Sequence, residues 1–130
     1  MAYSPEELLE KAKLAKENAF VPYFGFHVGA ALLTEEGLTY TGVNVEGASF
    51  GVTVCAERTA IYKAVSEGKR NFKAIAVLSD SEEIIYPCGI CRQVLSDFVD
   101  DDFTIICGNN EKKYVIKTLR ELFPDGRIPI

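Results

Sequence analysis

Two short segments of the sequence carry residues that can bind a metal and transfer a proton. Cys55 is followed two positions later by Glu57, and a CxxC motif is formed by Cys88 and Cys91. Zinc favours thiolate ligands and four-coordinate sites, and a catalytic zinc keeps one position open for water. A nearby glutamate can then take a proton from that water and deliver it elsewhere. The spacing therefore predicts a three-thiolate zinc site with Glu57 as its acid and base.

The cysteines also admit two other interpretations. A CxxC motif alone can be a redox pair, which would require neither Cys55 nor Glu57. A closed structural zinc site would need Cys107 as the fourth ligand. Cys107 follows Ile105 and Ile106 in a predicted strand and has no cysteine at short spacing, which favours a buried thiol.

Arg58 directly follows Glu57 and lies three residues after Cys55. Three thiolates and one Zn²⁺ leave one excess negative charge, which would weaken the metal's action on its water. Arg58 is predicted to offset this charge by donating to the cysteine sulfurs from outside the ligand set. The alternative is a surface arginine in an ion pair.

The predicted elements place both cysteine segments at helix starts, where unpaired N–H groups favour thiolates. They follow the order α-β-β-α-β-α-β-β-α, with a helix over 5–18, strands over 27–34 and 38–43, a helix over 55–67, a strand over 72–79, a helix over 88–98, strands over 104–107 and 113–116, and a short helix from 118. Helices between strands favour crossovers and parallel pairing, and the opening hairpin favours an antiparallel pair. The expected fold is α/β, a three-layer α/β/α sandwich with a five-stranded mixed sheet in one domain spanning 1–130.

Length and charge exclude several classes of partner. A chain of 130 residues is expected to form one domain. Its 14 Lys and Arg against 19 Asp and Glu give a net charge of −5, which argues against a nucleic-acid partner. No apolar run reaches the roughly 18 residues of a membrane span, so no membrane partner is expected. Residues 1–18 are charged and lack the apolar core of a signal peptide, which predicts a cytoplasmic location.

These motifs resemble the small, homotetrameric class of cytidine deaminases, a zinc-dependent family. The similarity covers about residues 5 to 124 and is carried by Val21-Pro22-Tyr23, by Phe26 to Leu32, by Gly42 to Glu46, by Cys55 to Arg58 and by Pro87 to Gln93. The resemblance implies that Cys55, Cys88 and Cys91 bind zinc and that Glu57 shuttles protons. It also implies a homotetramer that hydrolyses cytidine and 2′-deoxycytidine to the uridines and ammonia in pyrimidine salvage.

The same resemblance implies four contacts with a small pyrimidine nucleoside. Phe26 would stack on the base, and the backbone of Ala56 would hold the pyrimidine carbonyl. Asn44 and Glu46 would bind the ribose hydroxyl, and their loop has the polar composition of a binding loop. Without the resemblance, the sequence favours a core role for Phe26, and His27 is expected to be a packed or surface histidine.

Three residues depart from the family's usual pattern. Gly47 replaces a common Asn, Phe50 replaces a frequent Tyr, and Phe24 replaces a common small residue. The loss of a tyrosine hydroxyl near the sugar puts the substrate preference in doubt. Two alternatives therefore stand beside cytidine deamination: a zinc deaminase of modified nucleosides or nucleoside-like antibiotics, and a structural-zinc or redox module without hydrolytic activity.

Overall fold

Five strands form one mixed sheet with helices on both faces in the computed structural model, which describes residues 3–128. The strands are β1 (Val28–Thr34), β2 (Thr39–Val43), β3 (Phe72–Ser79), β4 (Thr104–Gly108) and β5 (Tyr114–Thr118). The helices are α1 (Pro5–Ala15), α2 (Ala56–Ser66), α3 (Gly89–Phe98) and α4 (Leu119–Leu122). Among residues 3–128, no helix has the length and apolar character needed to cross a bilayer.

The sheet has the strand order β2-β1-β3-β4-β5. Strand β1 runs antiparallel to β2 and β3, β4 runs antiparallel to β5, and β3 and β4 are parallel. Helix α3 connects these two strands, because a parallel pair needs a crossover connection. Nearly every residue of β3 is buried, which is typical of a central strand covered on both faces. The predicted α/β fold with a five-stranded mixed sheet is confirmed.

Each face of the sheet has its own apolar core. One core joins α1 to the sheet through residues that include Leu8, Leu9, Ala12, Ala31, Ala76 and Leu78. The other joins α2, α3 and α4 to the opposite face through residues that include Leu32, Ala60, Ile61, Ile75, Leu95 and Leu119. The helices that carry the predicted site therefore lie on the same face.

Several element boundaries differ from the predictions. The first α-helix ends at Ala15, and residues 16–18 form a 3₁₀ turn instead of continuing it. Helices α2 and α3 begin one residue late because Cys55 and Cys88 keep extended backbone angles and serve as N-caps. The last strand spans Tyr114–Thr118, not 113–116, because its pairing with β4 continues to Thr118. The single domain over 1–130 stays a prediction, and residues 1–2 and 129–130 lie outside the described residues.

Gly42 in β2 allows α2 to lie directly on the hairpin. A Cβ atom at this position would overlap with the carbonyl oxygen of Ala56 and the backbone nitrogen of Ala60. The absence of a side chain at Gly42 thus fixes the height of the first turn of α2 above the sheet, next to Cys55.

Gly42→Ala is expected to lower the free energy of unfolding by about 2–3 kcal/mol, because the added methyl meets backbone atoms that cannot rotate away. Urea denaturation of the metal-free protein would measure the change. Gly51→Ala is the matched control, since a Cβ there meets only the Ser49 hydroxyl at 3.8 Å. Equal stability of the two variants would contradict the close packing inferred at Gly42.

Candidate metal centre and active site

The three predicted cysteine ligands come together at the N-termini of α2 and α3. The Sγ atoms of Cys55 and Cys88 are 3.4 Å apart, and those of Cys88 and Cys91 are 3.6 Å apart. All three sulfurs lie within 4.8 Å of one another. A disulfide would require about 2.05 Å, so these cysteines are free of disulfides and their sulfurs are within hydrogen-bond distance.

The cluster has the donor set and dimensions of a tetrahedral zinc site. Zn–S bonds of about 2.3 Å separate two sulfurs by roughly 3.8 Å in a tetrahedron, which the observed distances approach. Cys107 lies apart from this group, buried in β4, and its thiol donates to the carbonyl oxygen of Ile105 at 3.9 Å. Burial raises the pKa of Cys107 to about 12, so it remains a neutral thiol. The three-thiol set thus leaves a fourth zinc position for a water.

The thiols of Cys55 and Cys91 differ in acidity. A hydrogen bond from Cys91 is the main cause that lowers the pKa of Cys55 to about 5, against the effect of burial, and Arg58 and Cys88 add to it. The same bond raises the pKa of Cys91, whose proton it holds, and burial acts in the same direction. The surroundings of the cluster therefore favour a thiolate at Cys55 over one at Cys91.

Arg58 lies beside this thiolate. Its Nη2 donates to the Sγ of Cys55 at 3.6 Å. Its Nε is buried and has no hydrogen-bond partner among the residues that the structure describes. The guanidinium therefore directs positive charge at the sulfurs without occupying a ligand position.

Glu57 lies in the first turn of α2 with only 4% of its surface exposed. Burial raises the pKa of its carboxyl to about 7, and the nearby Cys55 charge acts in the same direction. Both the protonated and the ionised form are then populated near neutral pH. A group with these properties can both accept and return a proton.

The loop between β2 and α2 passes beside the thiol cluster. Val45 pairs in antiparallel fashion with Val54, the residue before Cys55. This pairing places Asn44 and Glu46, the two predicted sugar contacts, on a segment adjacent to the cluster. Ala56, the predicted contact for the pyrimidine carbonyl, is buried as the first residue of α2.

Asn44 makes two side-chain hydrogen bonds to the backbone before β1. Its Oδ1 accepts from the Val28 N–H at 2.9 Å, and its Nδ2 donates to the Phe26 carbonyl at 2.8 Å. The backbone of Phe26 is therefore held firmly, yet 42% of the residue is exposed. The structure thus excludes the core role for Phe26.

Glu46 is buried and binds the segment before Phe26. One carboxylate oxygen, Oε1, accepts from the N–H groups of Tyr23 and Phe24 at 2.8 and 3.0 Å. Phe24 in turn stacks on Phe50, with ring centroids 6.0 Å apart and an interplanar angle of 14°. Phe24 and Phe50, two of the residues that depart from the family's usual pattern, are thus in contact.

Arg92 lies in the motif from Pro87 to Gln93, but no role was predicted for it from the sequence. Its Nε donates to the carbonyl of Pro87 at 2.7 Å, and its Nη1 donates to the carbonyl of Leu122 at 2.6 Å. It joins the CxxC loop to α4. Its position directly after Cys91 was the feature of the sequence that could have indicated a role near the metal centre.

This arrangement of three thiols and a buried carboxyl defines the class of zinc-dependent deaminases. Residues 3–107 match the family model described as the cytidine and deoxycytidylate deaminase zinc-binding region. The chain belongs to the cytidine and deoxycytidylate deaminase family, whose members are hydrolases of C–N bonds, and zinc is its predicted and confirmed cofactor.

Named relatives and solved structures agree with this assignment. The chain is 45% identical over 119 residues to a cytidine deaminase of Sporosarcina psychrophila, covering 92% of this chain and 88% of that protein. It is 46% identical over 117 residues to a cytidine deaminase of Halalkalibacterium halodurans, covering 90% and 89%. The crystal structure of cytidine deaminase from Burkholderia pseudomallei is 40% identical with a TM-score of 0.91, covering 95% and 98%. The resemblance stated from the motifs is confirmed.

Zinc affinity is expected to rise with pH. Binding must displace the proton of Cys91, and low pH opposes that loss, so each displaced proton weakens binding about tenfold per unit fall in pH. Because the pKa of Cys91 is raised, the dependence continues through neutral pH. Competition with a chelator at pH 6, 7 and 8 would measure it.

Two variants control this experiment. Cys91→Ser is expected to lower the affinity by at least about 100-fold, whereas Cys107→Ala is expected to keep one zinc per chain. Zinc affinity independent of pH, or loss of zinc from the Cys107 variant, would contradict the three-thiol site.

Proposed function

We propose that the protein catalyses the zinc-dependent hydrolytic deamination of cytidine and 2′-deoxycytidine to uridine and 2′-deoxyuridine, with release of ammonia, in pyrimidine salvage. The observation that carries the proposal is the buried carboxyl of Glu57, which lies two residues after Cys55 in the first turn of α2. A redox pair or a structural zinc site would have no use for such a group.

Cys55, Cys88 and Cys91 would hold the metal. Zinc, when bound, supplies a Lewis acid that activates a water for attack on an electron-poor carbon. Arg58 offsets part of the negative charge of the three thiolates through its contact with Cys55 at 3.6 Å, which preserves that acidity.

Glu57 would carry the protons of the reaction. It takes one proton from the attacking water and gives it to N3 of the ring, as oxygen bonds to C4. It then takes the second proton of that oxygen to the amino group, which leaves C4 as ammonia. A pKa of about 7, caused mainly by burial, suits a group that must both accept and donate at neutral pH.

The remaining residues of the predicted site would bind the nucleoside. Both backbone bonds to Glu46 are accepted by Oε1, and neither involves its second carboxylate oxygen. The side chain of Asn44 retains one N–H and one oxygen lone pair for a further hydrogen bond. These groups would hold the ribose hydroxyls. The half-exposed ring of Phe26 would stack on the base, and the N–H of Ala56 at the start of α2 would donate to the pyrimidine carbonyl.

A second candidate substrate class is favoured by the stacked Phe24 and Phe50. An aromatic pair that is 70% and 81% exposed gives an apolar surface where the family usually offers a hydroxyl. A relative named blasticidin-S deaminase, from Bacillus cereus, is 38% identical over 126 residues. Modified nucleosides and nucleoside-like antibiotics should therefore be tested as substrates beside cytidine.

The proposed assembly is a homotetramer in the cytoplasm. Exposed apolar side chains are numerous around the loop that approaches the site, and such patches mark interfaces; they include Phe20, Tyr23, Phe24, Phe50, Val52 and Ile90. A three-thiolate site also needs reduced cysteines, which the cytoplasm maintains.

Glu57→Gln is expected to lower kcat for cytidine by about 10³-fold, since the amide cannot transfer the protons. It should keep one zinc per chain. Loss of cytidine absorbance in the ultraviolet measures turnover, with 2′-deoxycytidine and blasticidin S run in parallel. Glu67→Gln, an exposed change after the same helix, is the control and should leave kcat unchanged. Zinc-loaded wild type that leaves cytidine and 2′-deoxycytidine intact would refute the proposed substrate.

The purified protein is expected to have four times the 14.4 kDa mass of the chain. Light scattering coupled to gel filtration would measure it. Phe50→Ser should shift the mass downward on dilution, whereas Leu14→Ser, at another exposed apolar residue but on α1, should not. A monomer at micromolar concentration would contradict the tetramer.

A further inference from the structure

The segment of residues 26–28 is held from two sides by side chains from distant parts of the chain. On one side, Asn44 binds the carbonyl of Phe26 and the N–H of Val28. On the other side, Asp80 binds the residue between them: its Oδ2 accepts from the His27 N–H at 3.0 Å, and its own N–H donates to the His27 carbonyl at 3.1 Å. Three consecutive backbone positions are thus fixed.

Asp80 is itself held in place. It is the first residue after β3, at the end of the pairing between β3 and β1. Its Oδ1 accepts from the Nζ of Lys16 at 2.9 Å, and Lys16 is only 6% exposed. Its Oδ2 also contacts the ring Nδ1 of His27 at 2.8 Å. The carboxylate therefore joins the turn after α1, the end of β3 and the segment before β1.

Both charges of this pair persist at neutral pH. Burial opposes ionisation of Asp80, but the His27 N–H and Lys16 outweigh it and hold the carboxyl pKa below its ordinary value. Burial also opposes protonation of Lys16, but Asp80 and Glu17 outweigh it and raise the lysine pKa. The hydrogen bonds to His27 are therefore charge-assisted.

A stabilising ion pair alone does not account for this arrangement. Asp80 is partly exposed, with 38% of its side chain accessible, and such pairs contribute about 1 kcal/mol or less. The bonds instead converge on the backbone flanking Phe26, whose ring is directed outward and half exposed. A firmly held backbone beneath an exposed aromatic ring is the arrangement of a preorganised binding surface.

We propose that Asp80 is a positioning residue for nucleoside binding: together with Asn44 it fixes the backbone on both sides of Phe26, so that the ring is oriented to receive the base. This inference rests on the proposed function, because it takes the base as the group that Phe26 contacts. Among residues 3–128, the hydrogen bonds of Asp80 go to Lys16 and His27, so it would act on the base only through the backbone beside Phe26.

Asp80→Asn tests the inference. The amide has one acceptor oxygen where the carboxylate has two, so it cannot accept from both Lys16 and the His27 N–H, and the clamp on His27 is weakened to its backbone bond. The KM for cytidine should rise about tenfold while kcat stays within about twofold, since proton transfer by Glu57 is untouched. Zinc content should be unchanged. The Kd of the product uridine, measured by calorimetry on the zinc-loaded protein, should weaken by a similar factor.

Two further variants separate positioning from charge and from general stability. Asp80→Glu keeps the charge but displaces the carboxylate by one methylene, and it should raise KM as Asp80→Asn does. Glu17→Gln removes the other carboxylate on Lys16 without touching residues 26–28, and it should leave KM unchanged. Full activity of Asp80→Glu, or an equal effect of Glu17→Gln, would overturn the inference.

A double variant shows whether Asp80 acts through Phe26. Phe26→Ala should raise KM, and adding Asp80→Asn should raise it no further, because no ring remains to be oriented. Additive effects would overturn the inference. Wild type that binds uridine but does not turn over cytidine would refute the proposed function alone, whereas an unchanged uridine Kd in Asp80→Asn would refute the positioning role alone.

Discussion

The constraint on which the structure depends is the convergence of three sulfurs from two helices within one metal's reach. The start of α3 supplies two of these sulfurs, those of Cys88 and Cys91. The second segment must come from another helix on the same sheet face with its N-terminus at the same edge. A crossover between the parallel strands β3 and β4 places α3 there, and the close packing of α2 on Gly42 sets the height of Cys55.

The same packing explains the chemistry of the site. Because α2 lies so close to the sheet, its first turn is buried, and Glu57 has little contact with water. A carboxyl in this position is a poorer acid than an exposed one. The helix start that presents Cys55 to the metal therefore also makes Glu57 suitable for proton transfer. Arg58, on the next position, is directed back to the sulfur.

Local spacing in the sequence was enough to predict the α/β fold and the metal cluster. Cysteine, glutamate and helix periodicity all act within a few residues, and their geometry follows from the helix itself. The bonds of Asn44 to Phe26 and of Glu46 to Tyr23 span 18 and 23 residues, and no periodicity encodes them. The clamp on His27 by Asp80 spans 53 residues. The helix starts were predicted one residue early because a cysteine at an N-cap is uncommon, so Cys55 and Cys88 were counted as helical.

Cys55 and Cys88 are N-caps that make no side-chain hydrogen bond to their own helices. Ordinary caps such as Ser or Asp satisfy the free N–H groups of the first turn; here the sulfurs of Cys55 and Cys88 contact each other and are placed to bind an ion. A bound ion would therefore join the two helix starts directly, in addition to the bonds that Arg92 makes beside Cys91 and the pairing of Val54 with Val45. Removal of the ion should let both helix starts fray together. Limited proteolysis or hydrogen exchange would then show increased local opening at residues 55–59 and 88–92 at the same time. In this fold, one bound ion would couple the local order of two segments that lie 33 residues apart in the chain.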